Sequence, residues 1–420
     1  VDIVELADRL WRGEEPSQKT SPLGQGGHLA EVTDGVAFLP NFGNCSAFAT
    51  DDGVVMVDTG SIITAQKVHE EIRAWNKKPL HSAIFSHGHI DHVFGVGPFD
   101  EEAREMNWPR PRVLAHRHLP RRFERYLMTA GYNQVINRRQ FAVANLEWPR
   151  EYRFPDETYE LEHDITVGSS TFHLQHEKGE TDDATVTWFE EKSVLCSGDL
   201  FIWNSPNAGN PQKVQRYPLE WAQALRRMAA LNAQYLLPGH GLPIFGRDRI
   251  YQALTETAEY LESLVEQTLA LMNDGARLSD TLSSVRVPSH LADRPYLQPF
   301  YDEPEFIVRN IWRLYGGWWD GNPANLRPAN DRALARELCE LAGGATALAS
   351  RAEALLEDAS DEDLRLAGHL AELAWLASPD DEGVQAVRQR VFSTLAMNAT
   401  STMSRGVFRW AERETVGEQF

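Results

Sequence analysis

From residue 28 to 60 the chain sets short apolar runs between Gly, Asn and Asp. "GVAFLP", "SAFAT" and "GVVMVDTG" are β-rich and bounded by turn formers, so they predict strands. "IITAQKVHEEIRAWN" then carries its apolar residues at helical spacing. "HSAIFSH" is a further buried strand, and it runs straight into a polar loop, Phe85 to Gly95, "FSHGHIDHVFG". Strand, helix, strand and a polar loop at the strand's carboxyl end is the α/β arrangement that builds sites in loops. Residues 116–146 read as mostly helical and rich in arginine. Strands return from 157 to 199, followed by the helix "LEWAQALRRMAAL" and the strand and turn "AQYLLPGHGLP".

Beyond about residue 250 the period changes to helix throughout. "YQALTETAEYLESLVEQTLALMNDG" is a long amphipathic helix closed by Gly275, and "EPEFIVRNIWRLYGG" starts near Pro304 and ends in glycines. Further helices follow in "DRALARELCELAGGATALASRAEALLED", "DEDLRLAGHLAELAWLAS" and "EGVQAVRQRVFSTLA". The pattern predicts an α/β domain over residues 1–250 and an all-α, antiparallel helical bundle over 251–420. Its Ala/Leu-rich helix pairs have the look of tetratricopeptide stacking without a strict 34-residue period.

Composition narrows the function. The 420 residues suffice for two domains and a large core. A net charge of -20 disfavours a nucleic-acid partner, which requires a basic surface. It does not disfavour a small anionic substrate, because the charge inside a cleft can oppose the global sign. No apolar stretch reaches the roughly 18 residues of a membrane span, and the start, "VDIVELADRLWRGEEP", lacks the basic and apolar regions of a signal peptide. Cys45, Cys196 and Cys339 are odd in number and far apart, which argues against a disulfide framework and for buried thiols in a reducing cytoplasm.

The chemistry sits in "HGHIDH". An HxHxDH run on a loop packs several metal-binding side chains into a small volume. His87 and His89 can converge on one ion, and Asp91 with His92, further round the turn, on a second; imidazole and carboxylate suit zinc and similar ions.

This run resembles the metal motif of the metallo-β-lactamase-fold hydrolases, whose fold is an αββα sandwich. Three more motifs of that family follow in order. "VVMVDTG" resembles its second strand, with Asp58 as a structural turn residue. "VLCSGDLF" resembles its strand end that places a bridging aspartate, here Asp199. "LLPGHG" resembles its last motif, with His240 as the closing ligand. In "HEKGETDD" the family's usual histidine is replaced by Glu180, 19 residues before Asp199, with Glu177 and Asp182 as neighbouring alternatives. A glutamate there resembles the alkylsulfatase branch. So does "YGGWWDGNPANLRP", Tyr315 to Pro328, which is similar to the signature of the helical domain that dimerizes those enzymes. "GYNQVINRRQF" weakly resembles the segment lining their substrate pocket.

The resemblance implies two divalent metal ions, zinc foremost and manganese or iron admissible. His87, His89 and Glu180 would hold the first, Asp91, His92 and His240 the second, with Asp199 bridging. Asp91 and Asp199 then flank a metal-bound hydroxide. Tyr132, Asn133, Arg138, Arg139 and Arg216 are candidate donors to an anionic substrate head, a guanidinium being matched to oxyanions. Trp318 and Trp319 are expected at a helix end, in core or dimer contact. The chain departs from the alkylsulfatases in three respects. It keeps Asp199 where they carry a glutamate. It has "IWNSPNAGNPQKVQRYP", with Arg216 as the lone arginine, where they bind sulfate. Residue 420 falls near the end of the helical domain, so the sterol-carrier-like C-terminal domain of the long-chain alkylsulfatases is expected to be lacking.

The leading expectation is a cytoplasmic, homodimeric binuclear hydrolase of the sulfate ester of a small or medium organic substrate. The same machinery acting on a lactone, carboxylic ester, thioester or phosphoester is the alternative. A non-hydrolytic diiron or binding protein is the third reading.

Overall fold

The computed structural model describes residues 2–16 and 27–417. Helix α1 (Ile3–Trp11) precedes strands β1 (Ala30–Thr33), β2 (Val36–Leu39), β3 (Cys45–Ala49) and β4 (Val54–Val57). Helix α2 (Ala65–Trp75) leads to β5 (Leu80–Ile84), and α3 (Gly97–Glu105) to β6 (Arg112–His116). After α4 (Leu119–Met128) and α5 (Ala130–Phe141) comes β7 (Glu157–Tyr159). These seven strands form one sheet in sequence order, antiparallel from β1 to β4 and parallel from β4 to β7.

Strands β8 (Glu162–Val167), β9 (Ser170–Glu177), β10 (Ala184–Phe189) and β11 (Val194–Ile202) form the second sheet with β12 (Tyr235–His240) and β13 (Ile244–Phe245); helix α6 (Pro218–Ala230) connects β11 to β12. Only the β11–β12 pair is parallel.

The all-apolar run of β4 follows from burial on both faces. Val55 and Val57 enter an apolar cluster with Phe172, Leu174, Val186 and Leu195 of the second sheet. Val54 and Met56 enter another with Val68 and Ile72 of α2, Phe99 of α3 and Phe123 of α4. One sheet thus packs on the other and carries helices on its outer face, and α6 with its neighbours covers the second sheet through Trp221, Leu225 and Met228. This is the αββα sandwich.

The remaining helices are α7 (Arg247–Asn273), α8 (Leu278–Ser284), α9 (Pro304–Gly316), α10 (Pro323–Leu326), α11 (Asp331–Ala342), α12 (Ala345–Ala354), α13 (Asp361–Ala377), α14 (Glu382–Asn398) and α15 (Thr402–Glu414). The chain forms two compact units. One comprises the described residues of Val1–Thr129 and Pro149–Gly317, the other those of Ala130–Trp148 and Trp318–Phe420.

The units therefore do not divide near residue 250, where the change of period placed a boundary. Leu254, Leu261 and Leu264 of α7 and Ile307, Val308 and Ile311 of α9 belong to the sandwich's own apolar cluster. An amphipathic pattern reports that a face is buried, not what it is buried against. The same reasoning explains α5: it joins the helical unit, where Gly406 of α15 lies so close to the Gln140 carbonyl that a Cβ would come within 1.9 Å of it.

In that helical unit α11 to α14 pack each on its successors around Ala352, Ala367, Ala371, Ala374 and Val391. Arg388, 1 % exposed, reaches Glu372, Glu414, Thr415 and the Ala411 carbonyl from α14 and lies 3.9 Å over the Trp375 ring. Trp318 and Trp319 are exposed rather than helix-end core, and the Trp319 indole N–H donates to the Asn322 carbonyl.

Candidate metal centre

The loop after β5 is pinned from two sides. Asp58, left-handed at φ 58° at the end of β4, takes the Ser86 N–H on one oxygen at 2.7 Å and the Ser86 hydroxyl on the other at 2.6 Å. Its second oxygen also lies 2.8 Å from Nδ1 of His92. Asp183 accepts the Gly88 N–H at 3.0 Å and is itself gripped by the Nε of Arg122. A side chain on Gly88 would collide with Arg122.

Held in this way, His87 and His89 bring ring nitrogens within 2.8 Å of each other, and His87 Nε2 lies 3.5 Å from Asp199 Oδ2. His92 Nε2 is 3.4 Å from Asp91 Oδ2 and 3.3 Å from Asp199 Oδ1. His240 Nε2 is 3.4 Å from Asp91 Oδ2 and 3.3 Å from Asp199 Oδ2. His87, His89 and Asp199 form one ligand-like group, and Asp91, His92 and His240 a second. Asp199 stands between both: its Oδ1 faces His92, and its Oδ2 faces both His87 and His240.

Asp199 lies in β11 beside a register shift at Gly198, and His240 ends β12 next to it. The pair meets because Gly239 has no side chain: a Cβ there would sit 2.1 Å from Asp199 Oδ1. Asn44, in the β2–β3 connection, clamps the same turn through the carbonyls of Pro238 and Gly241 at 3.0 and 2.9 Å.

The donor set fits metal ions. About 2.0–2.1 Å from a tetrahedral ion, two ligand atoms stand roughly 3.3 Å apart, and the spacings around Asp199 run from 3.3 to 3.5 Å. His92 Nε2 and Asp199 Oδ1 are buried and have no hydrogen-bond partner. Orphaned polar atoms of this kind are unfavourable without an ion or a proton to satisfy them. Burial and the positive field of His87, Arg122 and Arg216 hold His89 well below its ordinary pKa, in the neutral form that ligates. For His92 burial acts the same way, but Asp199, Asp91 and Asp58 outweigh it and raise the pKa. A cation between these groups therefore replaces a proton that the carboxylates already attract.

Glu180 sits in the β9–β10 turn with Oε1 3.8 Å from His89 Nδ1. It is also ion-paired with Arg216 and accepts from the Asn207 amide. Burial pushes its carboxyl up to about 7, against the pull of Arg216. The alternatives have other partners: Glu177 pairs with Arg227, and Asp182 with Arg122. Arg216 is 3 % exposed, and its guanidinium holds Glu180 and the Asn207 carbonyl. Its loop is fixed by α9, where Asn310 donates to the Arg216 carbonyl, and by Asp302, which accepts the Gly209 N–H.

Tyr132, Asn133, Arg138 and Arg139 lie on α5 in the helical unit. Tyr132 is exposed, and the Asn133 carbonyl accepts from the Asn137 side chain. Arg138 donates to the Leu146 carbonyl, and Arg139 lies 4.0 Å over the Trp410 ring. Asn44, Asn207, Asp183 and Arg122 support the site without any sequence motif to mark them. Each is distant in sequence from what it holds, so no spacing marks it. His116, His118 and His176 form a ring cluster, with His116 and His176 stacked at 3.6 Å. All three cysteines are buried and free, and no helix among the described residues is long and apolar enough to cross a membrane.

An αββα sandwich that gathers histidines and carboxylates at the ends of its central strands defines the metallo-β-lactamase fold. The profile of the metallo-beta-lactamase superfamily matches residues 39–240, and that of alkyl sulfatase dimerisation matches residues 278–417. Residues 39–240 thus carry a metallo-β-lactamase domain and residues 278–417 an alkylsulfatase-type dimerisation domain, and the chain is homologous to alkylsulfatases. It is 26% identical over 392 residues to a linear primary-alkylsulfatase of Pseudomonas, covering 87% of this chain and 73% of the relative. To an alkyl/aryl-sulfatase of Saccharomyces cerevisiae it is 24% identical, covering 77% of this chain and 54% of that one. The solved stereoselective inverting sec-alkylsulfatase Pisa1 from Pseudomonas has the same fold, with a TM-score of 0.84 at 21% identity over 93% of this chain and 66% of that chain. The chain thus spans between about half and three quarters of the length of these relatives.

Proposed function

We propose that the protein is a binuclear metal-dependent hydrolase of a sulfate ester of a small or medium organic substrate. The observation that carries this reading is the position of Asp199, within 3.3 to 3.5 Å of His87, His92 and His240. The alkylsulfatase relatives supply the bond type. In this reading His87, His89 and Glu180 hold one ion, Asp91, His92 and His240 the other, and Asp199 bridges. Zinc is the ion that this nitrogen-rich donor set suits best. Two bound divalent ions would supply Lewis acidity and bring the pKa of a water near neutrality.

The chain's own residues do the positioning. Asp58 accepts the Nδ1–H of His92 and so keeps Nε2 as the free lone pair. Arg216 and Asn207 fix the rotamer of Glu180. His89 and Asp91, with side chains 20 % and 14 % exposed, are the most accessible of the seven and form the side on which substrate enters. Asp91 and Asp199 are the carboxylates next to the reacting water. The helical unit, by its match to the dimerisation family, is assigned the homodimer contact.

A second reading keeps the metals and changes the ester. Arg216, the lone arginine of the segment 202–218, already holds Glu180, which favours an ester with an uncharged head, a carboxylic ester, lactone or thioester, over one that needs an oxyanion clamp. The test is a hydrolysis screen of the zinc- and manganese-loaded protein on alkyl and aryl sulfates beside these esters, with Glu180→Ala and His89→Ala. Sulfate release abolished in both variants is expected. Turnover of another ester class without sulfate release would overturn the sulfatase reading, and full activity in Glu180→Ala would overturn the ligand assignment.

A further inference from the structure

Helix α4 presents a second basic site. His118 at its N-cap, Arg121 and Arg122 one turn on, and Arg125 a turn further fall on one helix face at spacings of three and four residues. Together with Asp182 they line an open cleft of about 100 Å³. Of these residues only Asp182 is an alternative metal ligand, and its carboxylate is taken by Arg122.

The charges in the cleft are not balanced. Arg122 is 4 % exposed, with its Nε 3.0 Å from both Asp183 oxygens and its Nη2 2.5 Å from Asp182 Oδ1, so its charge is answered within the fold. Asp182, the one carboxylate in the lining, is taken up by this pairing, and its other oxygen is 3.7 Å from His118 Nδ1. Arg121 and Arg125 have no acidic, carbonyl or hydroxyl partner for their guanidiniums among the described residues; Arg125 lies only against the Tyr126 ring, 5.4 Å away. They are four residues apart on one helix, where like charges repel. The chain has 61 acidic residues to 41 basic ones, so the absence of a partner is not for want of carboxylates. The amino end of the helix adds its own positive potential, and no side chain caps it.

We propose that this cleft binds an oxyanion, a sulfate, phosphate or carboxylate group, between Arg121 and Arg125. Guanidiniums match such groups with paired, charge-assisted hydrogen bonds. The anion has two possible sources, a free inorganic ion or a second anionic group on the substrate. The cleft adjoins the turn carrying Glu180, through Asp182, and the metal loop, through Arg122 against Gly88. The substrate source rests on the proposed hydrolysis; the binding site does not.

The test is equilibrium dialysis of the full chain against radiolabelled sulfate at constant ionic strength. Saturable binding is expected, weakened about ten-fold or more in Arg121→Gln/Arg125→Gln and unchanged in His240→Ala. Equal binding in the arginine double variant, loss of binding in His240→Ala, or no saturable binding in the parent would each overturn the proposal. Kinetics then separate the sources, using sulfate esters with and without a distal carboxylate. A KM raised in the double variant for the carboxylate-bearing ester alone identifies the substrate group. Relief of inhibition by free sulfate on both esters identifies the inorganic ion. If no sulfate ester turns over, the hydrolysis reading fails, and dialysis alone decides the site.

Discussion

Asp58 Oδ2 lies 2.8 Å from His92 Nδ1, while the same carboxylate holds the Ser86 N–H and hydroxyl. One acid thus sets both the path of the metal loop and the tautomer of a candidate ligand. Asp58→Asn should keep the fold and lower metal occupancy and turnover by roughly 10- to 100-fold, as other partners of metal-bound histidines do. Metal content by atomic emission beside activity checks this; unchanged occupancy would remove Asp58 from the site.

Gly239 predicts a sharper effect. A Cβ at this position would stand 2.1 Å from Asp199 Oδ1, so Gly239→Ala must move the carboxylate that touches both ligand groups. Loss of metal and of more than about 100-fold in activity is expected. Gly97→Ala, where a Cβ meets nothing within 4 Å, should be nearly silent and serves as the control.

Chelation should act on stability as well as activity. Ions bound only by the folded state stabilise it in proportion to RT ln(1 + [L]/Kd), about 2.7 kcal/mol at a hundred times Kd. EDTA dialysis should therefore lower the thermal midpoint of the parent chain by several degrees, and zinc should restore it. In His92→Ala the shift on chelation should be much smaller. An identical shift in that variant would place the ions elsewhere.

Arg388 is the hub of the helical unit, buried among Glu372, Glu414, Thr415 and Trp375. Arg388→Leu leaves its acidic partners without their cation and should destabilise the unit by roughly 3 kcal/mol. Hydrogen exchange over α13 to α15 should accelerate accordingly, while β4 and β5 stay protected. Unaltered exchange in these helices would contradict the role.

His116 predicts a pH dependence. Burial, with His176 and His118 alongside, lowers its pKa from 6.5 to about 4. Between those values the unfolded chain takes up a proton that the folded chain refuses, so stability is lost as pH falls through that window. Above 6.5 the imidazole is neutral in both states and imposes no such penalty. The advantage of the parent chain over His116→Gln in thermal midpoint at pH 7 should therefore shrink toward pH 4.5. A gap that stays constant with pH would mean that His116 does not titrate in this way.

The local patterns already carried much of this protein. Strands β2 to β5 follow from apolar runs between turn formers. The candidate ligands follow from short motifs, because side chains two to five residues apart on one loop must share a volume. Glu180 stood out by its position in an ordered set of motifs, and the structure puts it 3.8 Å from His89 while also tying it to Arg216. Tertiary structure alone decided the rest. Helices α7 and α9 look like the start of a helical domain by periodicity, yet they bury Leu254 and Ile311 in the sandwich core. Two of the arginines expected as substrate donors have partners of their own, Arg216 at Glu180 and Arg139 over Trp410. Asn44 and Asp183 support the site from 194 and 95 residues away. A repeat or a motif encodes what neighbours in the chain do together. A contact across the fold depends on which buried faces meet, and a side chain's sequence context does not record it.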